Sequence, residues 1–196
     1  MKVIDCSQRS PEWFAARCGI PTSSNFDKIL TIDGKVSKQR TKYLYRLAGE
    51  KVSGVQEETY QNAVMQRGIE MEGEARALYQ LITGQEVQQV GFCLADGYGA
   101  SPDGIVGEDG LIEIKCPIVS TQVSYLLAGT LPTEYFQQVQ GQLLVTGRKW
   151  ADFVSYYPGL KPLIVRVEAD EAFIKILKLH IELFCGDLKV LIDKIK

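Results

Sequence analysis

Three residues near the middle of the chain could perform hydrolytic chemistry together. In the segment SPDGIVGEDGLIEIKCP, residues 101–117, Asp103 precedes a glycine-rich turn, and Glu113 and Lys115 stand at alternate positions of the apolar run that follows. Alternate residues of a β-strand share a face, so Glu113 and Lys115 should point to the same side. A three-residue hairpin loop ending at Gly110 would set Asp103 opposite Lys115. The two carboxylates would then be diagonal neighbours, about 8 Å apart.

Carboxylates at this spacing repel each other unless a cation lies between them. Oxygen ligands suit Mg²⁺ or Mn²⁺, and the backbone carbonyl of Ile114 could add another ligand. The Lys115 ammonium could hold an attacking water or stabilise charge on a phosphoryl group. The alternative is an exposed hairpin with an ion pair, and the pattern alone does not exclude it. An even-numbered loop would move Asp103 to the opposite face, so the hypothesis depends on the register.

The composition restricts the other chemistries that are open to the chain. Its 196 residues, 45% hydrophobic and 23% charged, predict a single globular domain spanning 1–196. A catalytic triad or a histidine metal site would have to use His180, the single histidine. The sequence contains no CxxC pair, so it gives no indication of a structural zinc site. It also contains no apolar run long enough for a membrane span or a signal peptide. We therefore expect a cytoplasmic protein with no membrane partner.

The net charge of −2 conceals a segregation of charge along the chain. Residues 28–51 contain seven Lys and Arg, whereas residues 52–114 contain eleven Asp and Glu against two Arg. A basic segment beside an acidic one is typical of a protein that holds a polyanion near metal-binding carboxylates. Two solvated helix faces would give the same counts.

The candidate residues must be positioned by helices and strands, and the order of these predicted elements indicates an α/β fold. We expect a mixed central sheet flanked by helices. Caps, breaks and apolar periodicity predict helices at 10–17, 22–30, 37–52, 59–82, 121–128, 133–145 and 171–194. Alternating and short apolar runs predict strands at 87–94, 100–106, 111–116, 151–157 and 163–168.

Four segments of the chain resemble, in order, the motifs of a known nuclease group. The set of Asp103, Glu113 and Lys115 resembles the PD-(D/E)xK nuclease superfamily. The segments EWFAARCGIPTSSNF, RGIEMEGEAR and YFQQVQGQLLVTG resemble the W-x3-R-x-G, G-x3-E-x2-A-R and Q-x-Q elements of phage-type alkaline exonucleases. This is the YqaJ-like family, which includes the lambda phage exonuclease. The four blocks run from Trp13 to Gly147 and cover most of the chain.

The resemblance implies a PD-(D/E)xK restriction-endonuclease-like core and a Mg²⁺-dependent 5′→3′ exodeoxyribonuclease. Such an enzyme digests the 5′-ended strand of linear double-stranded DNA to mononucleotides and leaves a 3′ overhang for recombination by single-strand annealing. The resemblance further implies one or two Mg²⁺ ions per active site, replaceable by Mn²⁺, and a ring-shaped homotrimer. It also implies a phage or prophage origin, with a phage single-strand annealing protein as the partner in the bacterial cytoplasm.

The same resemblance assigns roles in catalysis. Asp103 and Glu113 would ligate metal, and Glu72 would complete the acidic site through metal or metal-bound water. Glu70 and Glu74 are its competitors, and the spacing from Gly68 selects Glu72. Gln138 matches the first glutamine of the Q-x-Q helix, which helps to position the nucleophilic water, and Gln137 and Gln140 are its competitors. The implied catalytic and metal-binding residues are Lys115, Gln138, Glu72, Asp103, Glu113 and the carbonyl of Ile114.

A second implied set would bind the 5′-phosphorylated end of double-stranded DNA. Arg17 and Ser24 match the residues that hold the terminal phosphate, and a guanidinium fork near free helix N–H groups suits that anion. Helix capping by Thr22 or Ser23 is the alternative at this helix start, and capping and phosphate binding can coexist. Lys35 stands where the family has a second arginine, which leaves the strength of the phosphate preference open. Tyr135 would lie beside the site, against DNA or in the core, and Met65 would be a wedge between strands or a core residue.

Two other functions fit part of the pattern. A PD-(D/E)xK endonuclease of restriction or repair type would share the hairpin but would cut closed circular DNA. A catalytically inactive DNA-binding relative would keep the fold, although degeneration usually removes at least one member of the set.

Overall fold

The computed structural model describes residues 1–57 and 63–196, and within this part the side chains of 1–57 and 66–196. The α-helices in these stretches are α1 Pro11–Arg17, α2 Arg40–Ser53, α3 Ala63–Thr83, α4 Val119–Ala128, α5 Phe136–Thr146 and α6 Glu171–Ile195. Short 3-10 helices cover Ser23–Lys28 and Thr133–Tyr135. The strands are β1 Lys2–Ile4, β2 Val87–Gln88, β3 Phe92–Leu94, β4 Gly99–Ala100, β5 Gly104–Val106, β6 Gly110–Lys115, β7 Trp150–Ser155 and β8 Leu163–Glu168.

The central sheet is mixed and has five strands in the order β2-β5-β6-β7-β8. Strands β6 and β7 are parallel, and the other neighbours are antiparallel. Helix α3 packs on one face of β6, where Tyr79 joins a cluster with Ile112. Helix α5 packs on the other face, where Leu143 joins Leu111. The predicted mixed sheet flanked by helices is confirmed, and β6 lies between the two layers that carry the acidic and the glutamine motifs.

The hairpin region between α3 and β6 differs from the predicted pair of strands. The strands predicted at 87–94 and 100–106 each divide, so that β3 and β4 pair with β1 in a separate three-stranded antiparallel sheet. At Gly91 the chain passes very close to the C-terminal end of β1. A Cβ there would lie 2.4 Å from the carbonyl oxygen of Cys6 and 2.6 Å from that of Ile4. Such a close approach requires glycine. Strand β1 was not predicted.

The helix predicted at 22–30 is also different, because it is a six-residue 3-10 helix. The helix predicted at 133–145 divides into a short 3-10 turn and α5. The predicted start of the 59–82 helix lies outside the described residues, and the described part runs through Thr83. The remaining predicted helices and strands agree closely with the structure. None of the described helices combines the length and apolarity needed to cross a lipid bilayer.

Candidate active site

The β5–β6 hairpin brings the two central carboxylates together. Val106 pairs with Gly110, so the loop is 107–109, and Gly107 adopts the left-handed φ of 54°. The predicted pairing of Asp103 with Lys115 is therefore wrong by two residues, because Gly107 rather than Gly110 makes the turn. Continuing the observed register places Asp103 across from Glu113. The predicted loop, 108–110, and the observed loop, 107–109, each have three residues. The two carboxylates therefore still share one face of the sheet.

Glu113 is buried and receives three nitrogen donors. Its side chain is 2% exposed, and Oε1 accepts hydrogen bonds from Lys115 Nζ and Gln138 Nε2, both at 2.5 Å. Oε2 accepts a hydrogen bond from Gln142 Nε2 at 2.5 Å. Gln138 and Gln142 lie one turn apart on α5, so both face the sheet. Three nitrogen donors on one buried carboxylate fix its orientation.

Gln142 was missed by the sequence reasoning, although its position could have revealed it. It follows Gln138 by four residues, the spacing that places two side chains on one helix face. The residue is fully buried, and its Oε1 atom has no hydrogen-bond partner in the described part of the chain. Its amide group therefore serves mainly to hold Glu113.

Asp103 carries an unfavourable charge at the centre of the site. One carboxylate oxygen accepts the Ile114 N–H at 2.6 Å. Burial and the neighbouring Glu113 nevertheless raise the pKa of Asp103 well above its usual value, and the nearby Lys115 offsets this only in part. A cation between the two carboxylates would relieve both costs.

Lys115 remains charged in this arrangement. Burial alone would lower the pKa of Lys115, but the carboxylates of Glu113 and Asp103 outweigh it and raise the pKa above its usual value. The ammonium lies 5.1 Å from the ring centroid of Tyr135, which stacks on Phe153 at 5.2 Å. Tyr135 is thus a packed wall of the site that also contacts the lysine.

Glu72 is the one glutamate of its motif that faces the cleft. Its two oxygens accept hydrogen bonds from Arg9 at 2.7 Å and from Arg76 at 2.6 Å. Glu70 pairs with a glutamine on the helix surface, and Glu74 accepts a hydrogen bond from the hydroxyl of Tyr156, the residue that follows β7. Arg9 was not among the predicted site residues.

Arg17 and Ser24 line the same cleft, together with the hydroxyl of Ser101. Ser101 Oγ accepts hydrogen bonds from Arg17 Nη1 at 3.1 Å and from Trp13 Nε1 at 2.8 Å. The guanidinium lies 4.0 Å from the Trp13 ring centroid. Burial lowers the pKa of Arg17 to about 10, since Tyr43 and the carboxylate of Glu50 offset the burial only in part. A half-buried guanidinium that forms no ion pair with a described carboxylate is suited to an incoming anion.

The cleft has a volume of about 580 Å³ and collects most of the predicted residues. They are Arg17, Ser24, Glu72, Asp103, Glu113, Ile114, Lys115, Tyr135 and Gln138, together with Arg9, Trp13 and Ser101. Lys35 is elsewhere, because its side chain is 80% exposed and pairs with Asp33 at 2.9 Å. The side chain of Met65 lies outside the described residues.

The residues of the cleft fit a magnesium ion. The described part of the chain holds no group of three or more Asp, Glu, His or Cys side chains arranged to hold a metal. Mg²⁺ does not require such a cage, since it is commonly bound by one or two carboxylates together with waters and substrate phosphate oxygens. Asp103 and Glu113, which line the same cleft, would supply those two carboxylates.

A basic groove adjoins the cleft. Lys28, Lys42 and Arg46 line a cavity of about 510 Å³ beside α2. A second cavity of about 360 Å³ shares Lys28 and Arg46 with it, and shares Arg17 and Ser24 with the active-site cleft. Three of the seven cations of the basic segment thus line this groove, together with one acid, Glu57.

Comparisons with known proteins agree with the geometry. The family described as the YqaJ-like viral recombinase domain matches residues 12–149. The chain is 39% identical to an alkaline exonuclease from Laribacter hongkongensis, with a TM-score of 0.87 over 95% of this chain and 96% of that one, and a complex of that enzyme with dAMP matches equally well. A phage-related exonuclease from Haemophilus somnus 129PT has the same fold, with 18% identity and a TM-score of 0.70 over 90% of this chain and 96% of that one. No match was found among curated proteins.

Proposed function

The chain belongs to the YqaJ-like viral recombinase domain family, and we propose that it is a Mg²⁺-dependent 5′→3′ exonuclease of linear double-stranded DNA. Membership of this family makes it a phosphodiester hydrolase that acts on DNA in recombination. The predicted PD-(D/E)xK fold is confirmed by the structural match to the alkaline exonuclease. Strand polarity, metal dependence and the 3′ overhang belong to the proposal.

One observation carries the proposed polarity. The anion-binding group of Arg17, Ser24 and Ser101 lines the same cleft as the carboxylates of Asp103 and Glu113. A strand that anchors its terminal phosphate at Arg17 would present a nearby phosphodiester to the carboxylates. That arrangement favours cleavage of one nucleotide from a 5′-phosphorylated end. The Laribacter enzyme forms a complex with dAMP, which has the chemistry of such a mononucleotide product.

The proposed mechanism divides the work between the cation and the side chains. Mg²⁺, when bound by Asp103, Glu113 and the carbonyl of Ile114, would polarise the scissile phosphate and stabilise the leaving oxyanion. Gln142 and Gln138 hold Glu113 in place through their amide nitrogens. The carbonyl oxygen of Gln138 is then left to accept a hydrogen bond from the attacking water. Lys115 would orient that water and stabilise charge on the phosphoryl oxygens.

The ring-shaped homotrimer, the single-strand annealing partner and the cytoplasmic location stay predictions of the resemblance. Exposed apolar side chains on α6, such as Leu179, Leu183 and Val190, would suit a contact with another chain.

The proposal is tested by comparing DNA substrates that differ in their ends. With Mg²⁺, linear duplex carrying 5′-phosphates should be converted to mononucleotides and single strands, and covalently closed circles should stay intact. Arg17→Ala should reduce the preference for 5′-phosphoryl over 5′-hydroxyl ends, since it removes the phosphate fork. Lys35→Ala is the matched control and should leave that rate ratio unchanged, because Lys35 lies outside the cleft. Cleavage of closed circles would instead indicate the endonuclease alternative.

A further inference from the structure

Arg9 has a backbone conformation that a side chain disfavours. Its φ is 68°, and in the described part of the chain it is the one residue other than glycine with a positive φ. The left-handed region crowds the Cβ atom against the backbone, so an arginine there needs a compensating reason. Residues held in this way cluster at functional sites.

The turn that contains Arg9 is fixed to the active site. Ser10 N–H donates to the Ser7 carbonyl at 3.1 Å, which closes the turn. The amide of Gln8 donates to the carbonyls of Val90 at 2.9 Å and Pro102 at 2.8 Å. Pro102 immediately precedes Asp103, so the turn is anchored to the segment that delivers the central carboxylate. The strained backbone therefore aims the Arg9 side chain in one direction, into the cleft.

Glu72, which pairs with Arg9, has a second arginine as an ion-pair partner. Glu72 already pairs with Arg76 at 2.6 Å, and the side chains of both residues are largely buried. Arg9 adds a second guanidinium at 2.7 Å on the other oxygen, and its own side chain is 41% exposed. Exposed ion pairs contribute little stability, so this contact can be exchanged for another anion at small cost. The permanent partner of Glu72 is Arg76, and Arg9 is the surplus cation at the cleft.

We propose that Arg9 is a DNA-phosphate-binding residue of the active site, which exchanges Glu72 for a backbone phosphate of the bound strand. The inference rests on the proposed function, because it deepens the account of how the same cleft holds DNA. A guanidinium offers paired N–H donors that match two phosphate oxygens, and it makes stronger hydrogen bonds to phosphate than neutral donors do. The exchange would leave Glu72 with Arg76 while the strand lies across the carboxylates.

The test measures DNA binding without catalysis. Fluorescence anisotropy in EDTA gives the Kd of a blunt 5′-phosphorylated duplex over a range of salt concentrations. Arg9→Gly and Arg9→Asn remove the guanidinium and suit the left-handed φ, so the melting temperature should be unchanged or higher. We expect Kd to rise about fivefold or more, with the slope of log Kd against log salt reduced by about 1. Lys175→Ala, which removes an exposed charge on α6 outside the cleft, should leave Kd nearly unchanged.

A double-mutant cycle tests the exchange itself. Glu72→Gln releases Arg9, so it should tighten metal-free DNA binding more in the wild-type background than in the Arg9→Gly background. Unchanged Kd and salt slope in both Arg9 variants, or an equal gain from Glu72→Gln in both backgrounds, would overturn the proposal and leave Arg9 as an anchor of Glu72. A wild-type protein that binds duplex in EDTA but fails to digest linear DNA with Mg²⁺ would refute the proposed function instead.

Discussion

At the scale of single residues, the site contains charges that oppose the stability of the metal-free protein. Asp103 is held beside the buried carboxylate of Glu113, and burial together with that carboxylate raises the pKa of Asp103. An acid with a raised pKa in the folded state is destabilising when it is ionised, because folding then favours the protonated form. The cost is absent below the usual pKa of Asp and grows as the pH rises toward the folded-state value. A cation bound between the two carboxylates would offset this cost.

Asp103→Asn should therefore stabilise the metal-free protein near neutral pH and abolish its response to magnesium. Asn keeps the oxygen that accepts the Ile114 N–H but removes the charge. We expect a gain of about 0.5–2 kcal/mol in the free energy of unfolding. The gain should shrink at acidic pH, where the wild-type carboxylate becomes protonated. Thermal melts in EDTA at several pH values, repeated with Mg²⁺, would measure both effects. Mg²⁺ should raise the melting temperature of the wild type and not that of the variant, whereas a lower melting temperature for Asp103→Asn in EDTA would contradict the assignment.

Individual site residues could be predicted from the sequence to different extents. The alternation of Glu113 and Lys115 on one strand face follows from the period of a β-strand, and both residues meet in the cleft. The position of Asp103 needed the register, which depends on whether Gly107 or Gly110 makes the turn. Arg9 had no local signal at all, because its contact with Glu72 joins residues 63 positions apart and depends on the tertiary fold.

At the scale of elements, the cleft depends on the contact between α5 and the 3-10 helix Ser23–Lys28. Helix α5 carries Gln138, and the 3-10 helix carries Ser24 of the proposed phosphate group. The two elements meet at Gly141, where a Cβ would lie 2.4 Å from Cδ2 of the buried Phe26 and 3.2 Å from the Cβ of Ser23. The lack of a side chain at Gly141 therefore sets the distance between α5, which carries Gln138, and the 3-10 helix, which carries Ser24.

Gly141→Ala should separate these two elements. Alanine is favoured over glycine in a helix by about 1 kcal/mol, but overpacking a tight contact costs about 1–3 kcal/mol, so we expect a net loss of stability. The displaced hydroxyls should also raise KM for 5′-phosphorylated DNA more than for 5′-hydroxyl DNA. Chemical denaturation and steady-state kinetics would measure the two effects.

Gly186→Ala on α6 is the matched control for this substitution. Nothing lies within 4 Å of a Cβ placed at Gly186, so the variant should gain about 0.4–1 kcal/mol and keep its kinetics. Equal effects of the two substitutions would show that the contact at Gly141 is not what positions the 3-10 helix.

The elements that sequence patterns predicted well are those with strong local signals. Helix α1 begins after Ser10, whose side chain accepts the Trp13 N–H, and has Pro11 at its first position. Strand β8 was predicted with the correct bounds. The strands around Gly91 were not, because apolar alternation continues through a residue whose role is a close approach to the backbone of β1. Pairing between distant segments decided those boundaries, and no local pattern encodes it.

At the scale of the whole molecule, a net charge of −2 disfavours a polyanion everywhere except where cations are concentrated. The groove lined by Lys28, Lys42 and Arg46 is such a place, and it connects through shared lining residues to Arg17. Burial lowers the pKa of Lys28, and the nearby Arg46 adds to this effect, while Asp27 offsets it only in part. The groove is therefore the surface where we expect the DNA backbone to continue beyond the cleft.

Lys42→Ala should weaken DNA binding by the loss of one phosphate contact. We expect the slope of log Kd against log salt to fall by about 0.9, with a similar loss for duplexes of unrelated sequence, because a phosphate contact carries no base information. Fluorescence anisotropy in EDTA at several salt concentrations would measure the slope. Lys175→Ala is the matched control, because it removes the same charge at a site outside the groove. Lys175 lies about 14 Å along α6 from Phe184, the residue that stacks on Tyr43 of the groove. Both variants have the same net charge, so a long-range effect would change them equally. A Lys42→Ala slope that matches that of Lys175→Ala would show that DNA does not contact the groove.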